Sequence, residues 1–308
     1  MHAIRIHRYG GPEVLTVDMI ERPVPAAREL LIRVEALSIN PVDWKLRSGA
    51  FDARFPLAMP CQLGADVAGK VRQAGAEAGD FKKDDRVFAM LGLTGAYAEF
   101  VCVDAALLAR TPEVIYSTQA ASLPLAALTA WQGLFEHGTL EAGESLLVHG
   151  AAGGVGIFAV QLAKWKGAQV VATASENNAA FVSELGADMV FDYRAAAEQA
   201  PTGLDMAIDL VGDNPSRLLS TLRSGGTLIQ VSPGRNDDVR EKASALGIRF
   251  GGFQVAPNGA QLQMIADLVE GGHLTTHVSD VVPFADIAKA HAMSQQGHTR
   301  GKIVIKFS

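Results

Sequence analysis

Apolar positions along this chain change rhythm part-way. Up to about Pro112 they gather in short β-like runs, over 3–7, 30–37, 65–71, 86–90, 96–103 and 107–110. Turn signals such as Gly10-Gly11-Pro12 and Pro23-Val24-Pro25 separate them, which predicts an irregular, mostly β region. From about Ser117 the rhythm becomes helix and strand in alternation. Residues 118–137 read as helix with a break near Pro124, since proline removes a helical hydrogen bond. Six β runs follow, over 145–149, 169–174, 189–193, 206–211, 227–232 and 249–255, each trailed by helix-like sequence. That order predicts an α/β unit: a doubly wound parallel sheet with helices on both faces. At the end, 284–295 reads as helix and 302–307 as a strand. A lone last strand must pair somewhere, and returning to the first β region is the economical choice. The first domain is then discontinuous, 1–117 with 273–308, around a second domain at 118–272.

The strongest local signal lies between a β run and the helix after it: His149-Gly150-Ala151-Ala152-Gly153-Gly154-Val155-Gly156. It is a Rossmann fingerprint with Ala151 in place of the first glycine, overlapping a GxxGxxG reading. Small residues let a pyrophosphate approach the main chain, and the helix N-terminus offers free N–H groups and a positive dipole end. Ala152, Gly153, Gly154, Val155 and Gly156 are the candidate cradle. NAD enzymes carry Asp or Glu at the end of the second strand to bind the ribose. Here Ser175 stands there, and a hydroxyl leaves room for a 2′-phosphate, so NADPH is expected over NADH. Glu176 works against that preference, while Asn177, Asn178 and Tyr193 offer neutral hydrogen bonds. Val211, Val231 and Ser232 end the fourth and fifth strands; they close the cofactor pocket or pack the sheet.

Composition acts mainly by exclusion. With 33 acidic against 27 basic residues the formal net charge is −6, which argues against a nucleic-acid partner. Two cysteines support neither a disulfide framework nor a multi-cysteine zinc site. Cys102, in Phe100-Val101-Cys102-Val103, reads as a buried small hydrophobe. Apolar runs fall short of the roughly 18–20 residues of a membrane helix. The first residues, Met1-His2-Ala3-Ile4-Arg5, lack a signal-peptide core, so a cytoplasmic location is expected. The eight histidines stand apart from Cys or Glu at metal spacing and read as surface or packing residues. Tyr97 and Glu99 read as structural strand residues.

Taken together, the motifs resemble the medium-chain dehydrogenase/reductase superfamily, and within it the zinc-independent quinone oxidoreductase and alkenal/enone reductase branch. The landmarks are Asn40-Pro41-Val42-Asp43-Trp44-Lys45, Gly64-Ala65-Asp66, Gly95-Ala96-Tyr97-Ala98-Glu99, Leu128-Thr129-Ala130-Trp131, the glycine-rich turn and Gly301-Lys302-Ile303-Val304. They span nearly the whole chain. The resemblance implies a GroES-like domain from both chain ends around a Rossmann domain, and a homodimer. It places Asn40, Asp43 and Lys45 beside the nicotinamide, as donors or orienting groups for the reacting carbonyl. Thr129 contacts the nicotinamide side or packs its helix; Phe253 and Val255 line the amide end; Lys302, in a loop before the last strand, reaches the adenosine or pyrophosphate. Zinc-dependent relatives carry a cysteine ligand where this chain has Ser38-Ile39-Asn40-Pro41, and Gly-His-Glu where it has Gly64-Ala65-Asp66. No metal is expected. Some zinc-independent relatives use a tyrosine near the site, but Trp44, Leu46 and Phe51 stand there. The implied activity is NADPH-dependent hydride transfer to a quinone or an α,β-unsaturated carbonyl. The alternative is an NADPH-binding redox sensor, or an RNA- or protein-binding module, with little catalysis.

Overall fold

In the computed structural model, residues 1–192, 201–213, 215–231 and 237–307 are described. The chain begins with β1 (His2–Ile6), β2 (Leu15–Met19), β3 (Glu29–Ile39), α1 (Pro41–Arg47), β4 (Asp66–Ala74), β5 (Arg86–Met90), β6 (Phe100–Asp104) and β7 (Leu108–Arg110). Next come α2 (Ser117–Ala120), α3 (Pro124–Trp131), β8 (Ser145–His149), α4 (Gly156–Lys166), β9 (Gln169–Ala174), α5 (Glu176–Glu184), β10 (Met189–Asp192) and β11 (Leu204–Asp209). The last are α6 (Pro215–Leu219), β12 (Leu222–Gln230), α7 (Asp237–Ala245), β13 (Arg249–Gly252), α8 (Gly259–Glu270), β14 (Val278–Pro283), α9 (Ile287–Gln296) and β15 (Lys302–Lys306). Pro124 opens α3, where its missing N–H costs nothing, so the expected break falls just before it. No helix of the described residues is long and apolar enough to cross a membrane.

Two compact units result: Met1–Leu128 with Ala256–Ser308, and Thr129–Val255. In the first, the strand order is β14-β15-β3-β4-β5-β7, with β6 also on β3. The last strand does return: β15 runs antiparallel to β3, from Ile303 opposite Ile39 to Lys306 opposite Ala36. Ile4, Leu30, Ile32, Leu37, Leu63 and Val67 fill this unit's core.

The second unit is a parallel sheet in the order β10-β9-β8-β11-β12-β13, that is, 3-2-1-4-5-6 counted within the unit. This is the doubly wound Rossmann order, reversing between β8 and β11. Helix α4 is apolar along much of its length and almost wholly buried, and it stops at Gly167 in the left-handed conformation, φ 91°.

From sequence the domain boundaries fall at 117/118 and 272/273; the units divide at 128/129 and 255/256. Helix α8 accounts for the larger difference. It packs on the first unit, where Gly259 lies against the carbonyls of Ala106 and Leu108 and Gln263 accepts the Arg110 N–H at 3.1 Å. A strand-then-helix pattern tells that a helix follows a strand, not which sheet it covers. Cys102 is half-exposed on β6 rather than buried.

Candidate functional site

The second unit supplies a cradle made of main chain. β8 ends at His149, and the chain turns through Gly150 at φ 88°, a conformation in which a side chain is strained. Gly156, the first residue of α4, lies so close to Gly150 and Ala151 that a Cβ would collide with the Gly150 carbonyl and the Ala151 backbone. Ala151 and Ala152 are buried beneath the turn. Thr173 of β9 fastens it from the side. Its hydroxyl accepts the Gly150 N–H at 3.1 Å and lies 2.8 Å from His149 Nδ1, and its carbonyl accepts the Ala151 N–H at 3.1 Å. The opening N–H groups of a helix have no intrahelical acceptor, so α4 presents donors and a positive dipole end here.

The neighbouring strand ends complete this edge. Val211 packs over Gly150, its Cγ2 only 2.7 Å from where a Cβ would stand. Asp209 Oδ1 accepts the N–H groups of Val211 and Gly212 at 3.0 and 2.9 Å, and Val231 N–H donates to the Asp209 carbonyl at 3.0 Å. Thus the glycine turn, Val211 and Val231 converge at the carboxyl edge of the sheet. Ser175 precedes α5 in extended backbone, half-buried, with a hydroxyl that does not cap the helix. Phe253 follows β13 and stacks on His137 with centroids 4.5 Å apart. Thr129 is buried in α3, and Val255 is half-buried. Tyr193 and Ser232 lie outside the described residues.

The first unit supplies a buried polar cluster made of side chains. Pro41 opens α1, and Asp43 reaches back so that its Oδ2 accepts the Asn40 N–H at 2.8 Å. The Asn40 side chain turns the other way. Its Nδ2 donates to Asp66 Oδ2 at 2.8 Å, and its Oδ1 accepts from the Lys302 ammonium at 2.5 Å. Lys302 Nζ also donates to the Ile39 carbonyl at 3.2 Å and lies 3.9 Å from Asp66 Oδ2. Asp66 accepts twice more, from Ser38 Oγ at 2.6 Å and the Leu125 N–H at 2.7 Å. Lys302 is only 4% exposed and the rest of the cluster less. Burial lowers its pKa, and the carboxylates of Asp66 and Asp43 oppose that shift.

A second chain of hydrogen bonds leads away from Asp43. Its Oδ2 accepts from the Tyr97 hydroxyl at 3.0 Å; Tyr97 meets His291 Nε2 at 2.9 Å; His291 Nδ1 meets Arg47 Nη1 at 3.2 Å. An arginine can only donate, so Nδ1 must accept and the ring proton sits on Nε2. Burial, helped by the Arg47 charge, holds His291 down to about 3, which keeps it neutral. The protons therefore all point one way, from Arg47 through His291 and Tyr97 to Asp43. Burial pushes the Asp43 carboxyl up to about 7, against the pull of the Asn40 N–H. Its Oδ1 has no partner among the described residues.

Two family profiles match the chain: an alcohol dehydrogenase GroES-like domain over residues 26–113, and a zinc-binding dehydrogenase over residues 185–305. The chloroplast envelope quinone oxidoreductase homolog of Arabidopsis thaliana is 33% identical over 323 residues, which span 99% of this chain and 98% of that protein. The solved quinone oxidoreductase of Coxiella burnetii superposes with a TM-score of 0.91 at 33% identity, covering 99% of each chain. The chain belongs to the quinone oxidoreductase branch of the medium-chain dehydrogenase/reductase superfamily. A further member, the Escherichia coli quinone oxidoreductase solved in complex with NADPH, superposes with a TM-score of 0.88 at 26% identity, over 99% of this chain and 100% of that one.

In this member of the medium-chain superfamily, Asn40 and Asp43 do come together, but both are buried and committed to other protein groups. Lys45 stands apart from them. It is half-buried on α1, its Nζ 5.6 Å from the Trp44 ring and 5.7 Å from the Phe51 ring, and burial lowers its pKa. Lys302 departs from its expected place. It is the first residue of β15 rather than part of a loop, and its buried ammonium donates to Asn40. Pairing of β15 with β3 is what carries it there. Tyr97 lies outside any strand, and its hydroxyl joins Asp43 to His291. From sequence His291 reads only as a surface or packing residue and Arg47 has no reading, since a lone histidine or arginine on an amphipathic helix carries no local signal. Asp66 carried one: a carboxylate inside the apolar run Ala65-Asp66-Val67-Ala68 has to be paired if that run is buried.

Proposed function

We propose that the protein is a zinc-independent, NADPH-dependent reductase that passes a hydride to a quinone or to an α,β-unsaturated carbonyl. The observation that carries this is the glycine turn, where a left-handed Gly150 and a crowded Gly156 leave bare main chain at the start of α4. The residues fit a dinucleotide: Ala152 through Gly156 would face the pyrophosphate, Ser175 the 2′-phosphate, and Val211 and Val231 the ring systems. The absence of a carboxylate at position 175 favours NADPH, as does the NADPH bound by the Escherichia coli relative.

When bound, the reduced nicotinamide supplies the hydride; a quinone takes it with one proton to become a hydroquinone, and an enone takes it at the β-carbon with one proton at the α-carbon. Lys45 is the group suited to deliver that proton, or to stabilise the enolate before it arrives, because burial makes its ammonium more acidic. Asn40 and Asp43 position the start of α1, on which Lys45 rides, through the Lys302–Asn40–Asp66 and Tyr97–His291–Arg47 connections.

The zinc named by one family profile does not suit these residues. Catalytic zinc takes three protein donors drawn from Cys, His and carboxylates. Around Asp66 the neighbours are instead Ser38, Asn40 and an ammonium, and both carboxyl oxygens already accept hydrogen bonds. A metal cation there would displace these donors and face Lys302. Stoichiometric zinc in metal analysis of the active protein would contradict this. We further read the enzyme as a cytoplasmic homodimer, which sedimentation velocity tests for its subunit number.

The decisive experiment is NADPH oxidation with 1,4-benzoquinone, 9,10-phenanthrenequinone and short enones, each repeated with NADH. Saturable turnover with at least one acceptor, and tighter use of NADPH than NADH, is expected. Binding of NADPH without turnover of any acceptor would favour the sensor alternative.

A further inference from the structure

The first unit has a cleft of about 660 Å³ in which none of the groups described above takes part. Four cationic side chains from four chain segments converge on it. They are Arg22 between β2 and β3, Arg33 on β3, Arg72 on β4, and Lys83 in the turn before β5. A single acidic residue, Glu99, lines it, and that carboxylate is already held by the N–H and ring of His2 at 2.7 and 3.1 Å. The chain as a whole has more acidic than basic residues, so this lining runs against its composition.

The cations are not simply paired off. Arg72 has an ion pair with Asp84, but Arg33 and Lys83 are exposed and have no ion pair among the described residues. Arg22 lies with its guanidinium 3.8 Å above the Phe100 ring centroid. That stacking fixes the plane of the guanidinium and leaves its edge N–H groups free to donate in a fork. Phe284 and Phe307 also line the cleft and stack on each other with centroids 4.2 Å apart, which adds an apolar surface. A cleft of this volume holds a ligand of nucleotide size.

We propose that this cleft is a second ligand site, which takes a planar aromatic ring bearing a phosphate group. The rings of Phe284 and Phe307 would cover the aromatic part, and Arg22, held flat on Phe100, would bind the phosphate with Arg33 and Lys83. Guanidinium groups prefer phosphate because their paired donors match two of its oxygens. Two sources share this chemistry, a mononucleotide and a simple aryl phosphate.

The test is calorimetry on the full protein saturated with NADPH, so that the dinucleotide cradle is already filled. Phenyl phosphate, adenosine monophosphate, inorganic phosphate and adenosine are titrated separately. Saturable one-to-one binding of phenyl phosphate or adenosine monophosphate is expected, with the tighter of the two naming the source. Arg33→Ser should weaken it by about tenfold or more, the loss of one charge-assisted contact. Quinone turnover and melting temperature should stay as in the parent. If Arg33→Ser fails to fold, Lys83→Ser in its exposed turn serves the same purpose. The proposal fails if neither aromatic phosphate binds, or if the substitution leaves binding unchanged. It fails also if inorganic phosphate binds as tightly as phenyl phosphate, since the aromatic walls would then be idle. Binding of an oligonucleotide alone would mark a macromolecular surface instead and would equally overturn it.

Discussion

The glycine turn and the Asp66 cluster are built on opposite principles. The turn spans residues 150–156, uses main-chain groups, and depends on side chains being absent. The cluster draws on residues 38, 40, 43, 66, 97, 291 and 302, uses side-chain groups, and depends on each being present. A main-chain cradle tolerates any change that stays small; a buried charge network tolerates almost none, because removing one partner leaves another unsatisfied in a medium of low dielectric. The largest expected effect therefore lies in the cluster. Asp66→Ala leaves the buried Lys302 ammonium without its carboxylate and should cost about 3–5 kcal/mol in urea unfolding. Asp66→Leu combined with Lys302→Met should recover much of that, whereas a double variant as unstable as the single one would show that packing, not charge, holds the cluster.

The same contrast explains what was legible in the sequence. Gly150, Gly153 and Gly156 are spaced within one turn, so the local string carries their purpose. The doubly wound parallel sheet of the second unit is legible from strand–helix alternation, because right-handed crossovers leave few topologies; the order of its strands comes from the structure. The contact of Lys302 with Asn40 is not legible in the sequence, because the two are 262 residues apart and only the β15–β3 pairing joins them. The contacts of His291 are hidden for the same reason: its partners, Tyr97 and Arg47, are 194 and 244 residues distant. The unit that helix α8 joins is not legible either, because its amphipathic face fits a sheet without specifying which.

The turn has its own vulnerable point. Gly156→Val drives side-chain atoms into the Gly150 carbonyl and the Ala151 backbone, so the turn must open. NADPH affinity should fall by about a hundredfold, roughly 3 kcal/mol, by calorimetry. An unchanged affinity would mean that the cofactor does not rest on this main chain. Next in size is Lys45→Met, which keeps the stem against Trp44 and Phe51 but removes the ammonium. Steady-state kcat should fall by about thirtyfold with little change in NADPH affinity, in keeping with loss of a general acid or a charge near the reacting oxygen. A fall in NADPH affinity with kcat intact would move Lys45 out of the chemistry.

Asp43 sharpens the comparison through pH. Its folded carboxyl sits at about 7 because it is buried, well above the 3.8 of a free side chain. The folded state therefore holds a proton that the unfolded chain has lost, and stability from this group is fully present below about pH 4 and lost as pH rises through 7. Asp43→Asn keeps an acceptor for Tyr97 and for the Asn40 N–H but does not ionise. Its stability relative to the parent should improve by about 1–2 kcal/mol between pH 6 and pH 8. A parallel pair of pH curves would show that Asp43 stays charged throughout.

The smallest expected effect tests whether the turn is as local as its sequence suggests. Thr173 is buried, belongs to the next strand, and is the one side chain whose hydroxyl accepts the Gly150 N–H among the described residues. Valine has the same shape, so Thr173→Val removes the acceptor without opening a cavity. The Gly150 N–H then lacks its partner, a loss of about 1 kcal/mol. His149 Nδ1 loses its contact as well, and the ring is left with Asp213, 3.5 Å from Nε2. Because the left-handed Gly150 is held by this bond from outside the loop, NADPH affinity should weaken by about fivefold, in step with the stability loss. If stability falls and affinity does not, the turn keeps its shape from its glycines alone. In that case the contrast with the Asp66 cluster is complete: one region is specified by its own seven residues, the other only by the fold.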